Sequence, residues 1–112
     1  MKIKKGTFKV REHDDDGRTW KTYNGSSGYD FPFYVHRKST AKTWILSHCS
    51  TGYAVKSGIT LKQARALSKA LKEWPLFLMP TADTIVKQRS LLSTHKQQQL
   101  QQIVDNCGEQ NE

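Results

Sequence analysis

The amino-acid sequence carries four cations at helical spacing in residues 60–74, TLKQARALSKALKEW. They recur every three or four residues, and an α-helix turns about once every 3.6 residues, so they would share one side of a helix. A row of Lys and Arg side chains binds phosphate groups through its charge. The sequence therefore predicts a phosphate-contacting row on this helix, made of Lys62, Arg65, Lys69 and Lys72.

The basic pattern extends in front of that helix, because no acidic residue falls between Asp30 and Glu73. Solvated surfaces normally mix charges of both signs. The chain has 18 Lys and Arg against 10 Asp and Glu, a net charge of +8, which attracts phosphate polymers, anionic membranes or acidic proteins. Tyr34 is interleaved with these cations, and aromatic faces beside cations suit stacking on unpaired bases. The further candidate binding residues are Arg37, Lys38, Lys42, Lys56 and Tyr34.

Sequence patterns typical of catalysis are missing, including the phosphate-cradling GxxxxGK[ST], GxGxxG, HExxH, GxSxG and paired CxxC. His48 and Cys49 are adjacent, but neighbours on a strand point to opposite faces, so they cannot act as a base and its thiol nucleophile. A nuclease using His36, His48 and the aspartates is a third possible class, although these residues are not grouped in the sequence. We predict a protein that is not an enzyme and uses no cofactor.

Residues 13–17, HDDDG, could hold a divalent cation through their carboxylates. The twelve-residue calcium loop with its terminal glutamate is absent, and Asp and Gly are also the residues that turns use. We interpret this segment as a solvated acidic turn. The four histidines show no spacing of the zinc-binding type, and no metal site is predicted.

Strand patterns fill the first half of the chain. Residues 2–23 predict a hairpin that turns at DDDG, and residues 24–30, NGSSGYD, predict a loop. Residues 31–57 predict three antiparallel strands, the first with Phe31, Phe33 and Val35 on one face. Whether Trp44 or Ile45 faces the core stays open.

Helix signals fill the second half. Thr60 and Gln63 form a capping-box pattern, and Pro75 ends the helix. Its apolar side consists of Leu61, Ala64, Leu67, Leu71 and Trp74. Residues 81–106 predict one helix, or two with a restart at Thr94.

The predicted fold class is α+β: an antiparallel sheet of three to five strands packed against one amphipathic helix, with one or two C-terminal helices. We expect a single domain over residues 1–106 and a disordered tail over residues 107–112.

Three antiparallel strands, a tryptophan in the second strand and a capped helix resemble the arm-type DNA-binding module of tyrosine integrases. The matching residues are Trp44, Thr60 and Ala64, within about residues 31–74. The resemblance implies that the sheet enters the major groove with the helix behind it, which leaves flanking phosphates to the helix cations. It assigns DNA contact to Arg37, Lys38, Lys42 and Lys56.

No run approaches the roughly 20 apolar residues of a membrane span, and no secretory signal is recognisable, so we expect a cytoplasmic protein. Cys49 and Cys107 would remain thiols in that compartment.

We expect the partner to be nucleic acid, with DNA preferred over RNA. The alternative is a phage or mobile-element inhibitor, of the anti-CRISPR or anti-restriction type, that binds a host nucleic-acid-handling enzyme. The sequence leaves two alternatives for the apolar residues Leu100, Ile103 and Val104. They form the contact of a homodimer, or they pack back onto the sheet of the same chain.

Overall fold

The computed structural model describes residues 2–14, 17–79 and 81–107, which form an α+β fold as predicted. Five antiparallel strands lie in chain order in one sheet: β1 (Lys4–Asp14), β2 (Gly17–Asp30), β3 (Phe33–Lys38), β4 (Trp44–His48) and β5 (Ala54–Ile59). They are followed by α1 (Leu61–Leu71), a 3-10 turn (Pro75–Leu78), α2 (Ala82–Ser90) and α3 (Thr94–Asp105). Within the described ranges, no helix has the length and apolar content to cross a membrane.

The N-terminal hairpin is longer than predicted, because residues 24–30 continue β2 and do not form a loop. This segment pairs with β1 on one side and with β3 on the other, so both backbone edges of the strand are hydrogen-bonded. Gly25 also fits this arrangement, since a Cβ there would lie 2.0 Å from the Arg37 carbonyl oxygen. Asp15 and Asp16 of the predicted turn lie outside the described residues.

One core lies between the sheet and α1, on what we call the helix side. Phe33, Val35 and Leu46 are fully buried there, opposite Leu67 and Leu71 of α1. Trp44 belongs to the same core, so it is Trp44 and not Ile45 that faces the helix-side core from β4. Trp44 is buried, and Ile45 is half-buried at the next position. Phe31 does not share this face, because β3 begins only at Phe33 and Phe31 lies exposed in the preceding turn.

A second core lies on the opposite face of the sheet, which we call the outer side. The β1–β2 hairpin curls across it, so that Phe8 and Val10 pack against Tyr34 of β3. The Tyr34 hydroxyl donates to the Lys9 carbonyl at 2.7 Å, and the Arg11 N–H donates to the Gly52 carbonyl at 3.1 Å. Both faces of β3 are therefore covered.

The C-terminal segment forms two helices. Thr81 caps α2, and the chain restarts at α3, whose N-cap is Ser93 where Thr94 was predicted. Leu100 is buried against the helix-side core, with Ile103 and Val104 partly buried beside it. The apolar side of α3 is thus used within the domain. Cys107, predicted as part of the tail, is buried, and residues 108–112 lie outside the described residues.

Candidate nucleic-acid interface

The predicted cation row on α1 is fixed in orientation by the way the helix starts and packs. The Thr60 hydroxyl accepts from the Gln63 N–H at 3.1 Å, and the Gln63 side chain accepts from the Thr60 N–H at 3.0 Å, as the capping-box pattern predicted. Ala64, Leu67 and Leu71 are completely buried, which sets the rotation of the helix. All four members of the row are exposed as a result: Lys62, Arg65, Lys69 and Lys72.

The row ends in an ion pair at the far end of the helix. Lys72 contacts the Asp30 carboxylate, which also accepts from the Ser68 hydroxyl at 3.1 Å. Burial acts to raise the pKa of Asp30, but the hydrogen bonds from Lys72 and Ser68 and the charge of Lys72 outweigh it, so this pKa lies below its ordinary value. Among the described residues, no carboxylate lies within 4.0 Å of Lys62 or Lys69.

Two cations of the sheet lie on the helix side as well. Lys5 pairs with Ser26, which pairs in turn with Arg37, and directly opposed residues in antiparallel strands share a face. The Arg37 guanidinium lies 5.0 Å from the ring centroid of Trp44, a helix-side residue, so this row of residues faces α1.

One edge of the cation row on α1 is turned toward the sheet. Ser68 and Lys72 contact Asp30 of β2, and Arg65 lies three and seven positions before them on the same side of the helix. Strand β2 is also the strand that lies between Lys5 of β1 and Arg37 of β3. We call the combined surface the basic helix face, and it consists of Lys5, Arg37, Lys62, Arg65 and Lys69. Lys42, in the turn after β3, is exposed at the end of the sheet where α1 begins.

Five of the nine predicted binding residues are not part of this surface as defined: Lys42 and Lys72, described above, and Lys38, Lys56 and Tyr34. Lys38 lies on the outer side, with its Nζ 3.9 Å from the Tyr23 ring centroid and 4.0 Å from a Glu12 carboxylate oxygen. Lys56 reaches the end of α3, where its Nζ donates to the Asp105 carbonyl at 3.4 Å. Tyr34, expected beside the cations, is only 2% exposed, because the hairpin covers it.

His48 and Cys49, the adjacent pair considered for catalysis, both have structural surroundings. His48 is buried, with one ring nitrogen on the Phe77 carbonyl and the other on the Thr51 hydroxyl. Burial raises the pKa of the Cys49 thiol to about 11, which keeps it protonated at neutral pH. Both cysteines are free thiols. Among the residues that the structure describes, no three His, Cys, Asp or Glu side chains are grouped to hold a metal.

Exposed aromatic rings occur at a place that the sequence patterns did not indicate. Tyr29 at the end of β2 is 62% exposed, and Phe31 in the β2–β3 turn is 68% exposed. Alternation in the sequence had grouped Phe31 with the core. Phe31 directly follows Asp30, whose carboxylate Lys72 contacts. Tyr29 pairs with Tyr34 and therefore lies on the outer side of the sheet.

Comparison with known proteins does not assign a function to the chain. No family model, no curated protein and no solved structure matches the chain.

Proposed function

We propose that the chain is a nucleic-acid-binding protein without catalytic activity, which contacts backbone phosphates through the basic helix face. The observation that supports this most directly is the convergence of cations from β1, β3 and α1 on one side of the sheet. Two lysines of that surface, Lys62 and Lys69, have no carboxylate within ion-pair distance among the described residues. Such side chains can exchange their counterions for phosphates without first breaking an ion pair.

The helix side supports phosphate contact better than the outer side does. A sheet that entered a groove with its outer face would need the β3 and β4 side chains on that face to be accessible. Tyr34 and His36 are 2% and 3% exposed there, under Phe8 and Val10. Contact through the basic helix face requires no such opening of the hairpin. It also gives the α1 cations a direct role in binding. In the integrase-like arrangement, these cations would contact only the phosphates that flank the groove.

Binding without catalysis is consistent with the state of the polar core residues. The His36 Nε2 lies 2.8 Å from the Ser47 hydroxyl, and burial, aided by the charge of Lys38, lowers its pKa to about 4. A neutral, enclosed imidazole and a protonated thiol at Cys49 cannot serve a substrate at the surface. We propose DNA as the partner in preference to RNA.

The test is a titration of the protein against labelled duplex DNA, single-stranded DNA and RNA at 50 and 200 mM NaCl, followed by fluorescence anisotropy. If all five cations of the face each neutralise a phosphate, affinity should fall about 500-fold for duplex DNA and about 130-fold for a single strand over this range. Affinity that does not change with salt would refute the proposal. No binding to any of the three would refute it too, and would favour the alternative of an inhibitor that docks on a host protein.

A further inference from the structure

The β2–β3 turn presents one large aromatic side chain to solvent, Phe31. Among the other exposed apolar residues, Tyr29 lies on the outer side and Trp20 in the β1–β2 hairpin, whereas Val86 and Leu91 are aliphatic and lie on or just after α2. An exposed ring offers a flat surface on which any nucleobase can stack, whereas an aliphatic side chain does not.

The residues on either side of Phe31 are held in place by their contacts. The Asp30 carboxylate is bound by Lys72 and Ser68, and the Pro32 carbonyl after Phe31 accepts the Cys49 N–H at 2.8 Å. The Tyr29 ring is stacked on the Tyr34 ring, with centroids 5.4 Å apart and planes 17° from parallel. A turn whose backbone is fixed before binding loses little conformational entropy when a base stacks on its exposed ring.

The turn adjoins the end of the cation row. Lys72 touches Asp30, and from Lys62 to Lys72 the row extends over about 15 Å at about 1.5 Å per residue. A stacked single strand repeats its phosphates about every 3.4 Å, so about four of them would fit along the row. Because Lys72 compensates the charge of Asp30, the carboxylate presents little repulsion to a strand that continues past the helix end.

We propose, on the basis of the function proposed above, that the preferred ligand is single-stranded nucleic acid, with its phosphates along the basic helix face and an unpaired base stacked on Phe31. A duplex presents the same phosphates, but its bases are stacked and paired and cannot reach the ring. The combination of a cationic track and an aromatic ring at its end therefore selects unpaired strands.

The test uses three labelled DNA ligands of 12 nucleotides: a single strand, the same strand made abasic, and its duplex. The protein variants are Phe31→Ala, Phe31→Trp, which keeps a ring, and Leu91→Ala, which removes another exposed apolar side chain. We expect Phe31→Ala to weaken binding of the normal single strand about tenfold, with an unchanged salt slope. The abasic strand and the duplex should bind all variants within about twofold of the wild type. Phe31→Trp and Leu91→Ala should bind the single strand as the wild type does.

Two results would overturn the inference and leave the proposed function standing: single-strand affinity that Phe31→Ala does not change, or an equal loss for the abasic strand, which would mean that Phe31 only supports the structure. If the wild type binds none of the three ligands in a salt-dependent way, the proposed function itself fails and this inference fails with it.

Discussion

The two sides of the sheet use cations and aromatic rings in opposite ways. On the helix side, the half-buried Arg37 lies over the Trp44 ring, at the edge of the basic helix face. On the outer side, Lys21 and Lys38 lie on either side of Glu12, and the Tyr23 hydroxyl donates to the same carboxylate at 2.6 Å. Arg37 and Lys38 are neighbours in the sequence, yet they lie on opposite sides of the sheet, and Lys38 shares Glu12 with Lys21. The net charge of the chain therefore says less about binding than the face on which each charge lies.

The outer core encloses the uncharged side chain of His36, so low pH should destabilise the fold. His36 is buried with a pKa of about 4, below the ordinary value of 6.5, so between pH 6.5 and 4 the unfolded chain binds a proton that the folded chain excludes. Stability is then complete above pH 6.5 and is lost as pH falls toward 4. We expect the free energy of unfolding to drop by about 3 kcal/mol across this window because of His36.

Urea denaturation at pH 7, 5.5 and 4.5 would measure this drop, with His36→Gln as the comparison. The variant should lose the part of the pH dependence that His36 contributes. An identical pH dependence in the variant and the wild type would show that the closed outer side does not exclude the proton.

The neighbouring pair at the end of β3 offers a direct comparison of the two sides. Arg37→Gln should weaken DNA binding about tenfold at 50 mM NaCl and lower the salt slope by about 0.9, because one phosphate contact is lost. Lys38→Gln makes the same change in net charge but should leave the affinity within about twofold. Anisotropy titrations at several salt concentrations measure both values. Equal losses of affinity in the two variants would mean that DNA contacts both sides of the sheet alike.

Local patterns in the sequence were sufficient to predict the elements that depend on near neighbours. The capping box at Thr60 and the buried side of α1 at Ala64, Leu67 and Leu71 follow from residues within a few positions of one another, and both are confirmed. The helix ends at Leu71, three residues before the predicted end at Trp74, which instead precedes the 3-10 turn. The α+β class followed in the same way from the order of strand and helix patterns.

Features that depend on distant parts of the chain could not be predicted. Residues 24–30 form a strand because β1 and β3 pair with them, which outweighs the weak strand preference of Gly and Ser. Tyr34 is buried because a hairpin from the N-terminus covers it. Lys5 joins the basic helix face through the register of β1 and β2, which alternation within one strand cannot reveal.

The basic helix face is tested most directly by neutralising two of its lysines that have no carboxylate within ion-pair distance among the described residues. Lys62→Gln/Lys69→Gln should bind DNA about a hundredfold more weakly at 50 mM NaCl, with a salt slope lower by about 1.8. The matched control is Lys87→Gln/Lys96→Gln, which removes two exposed lysines of α2 and α3 and so makes the same change in net charge. We expect the control to keep the salt slope of the wild type and an affinity within about threefold of it. Equal weakening by both pairs would contradict the account, because binding would then depend on total charge and not on this face.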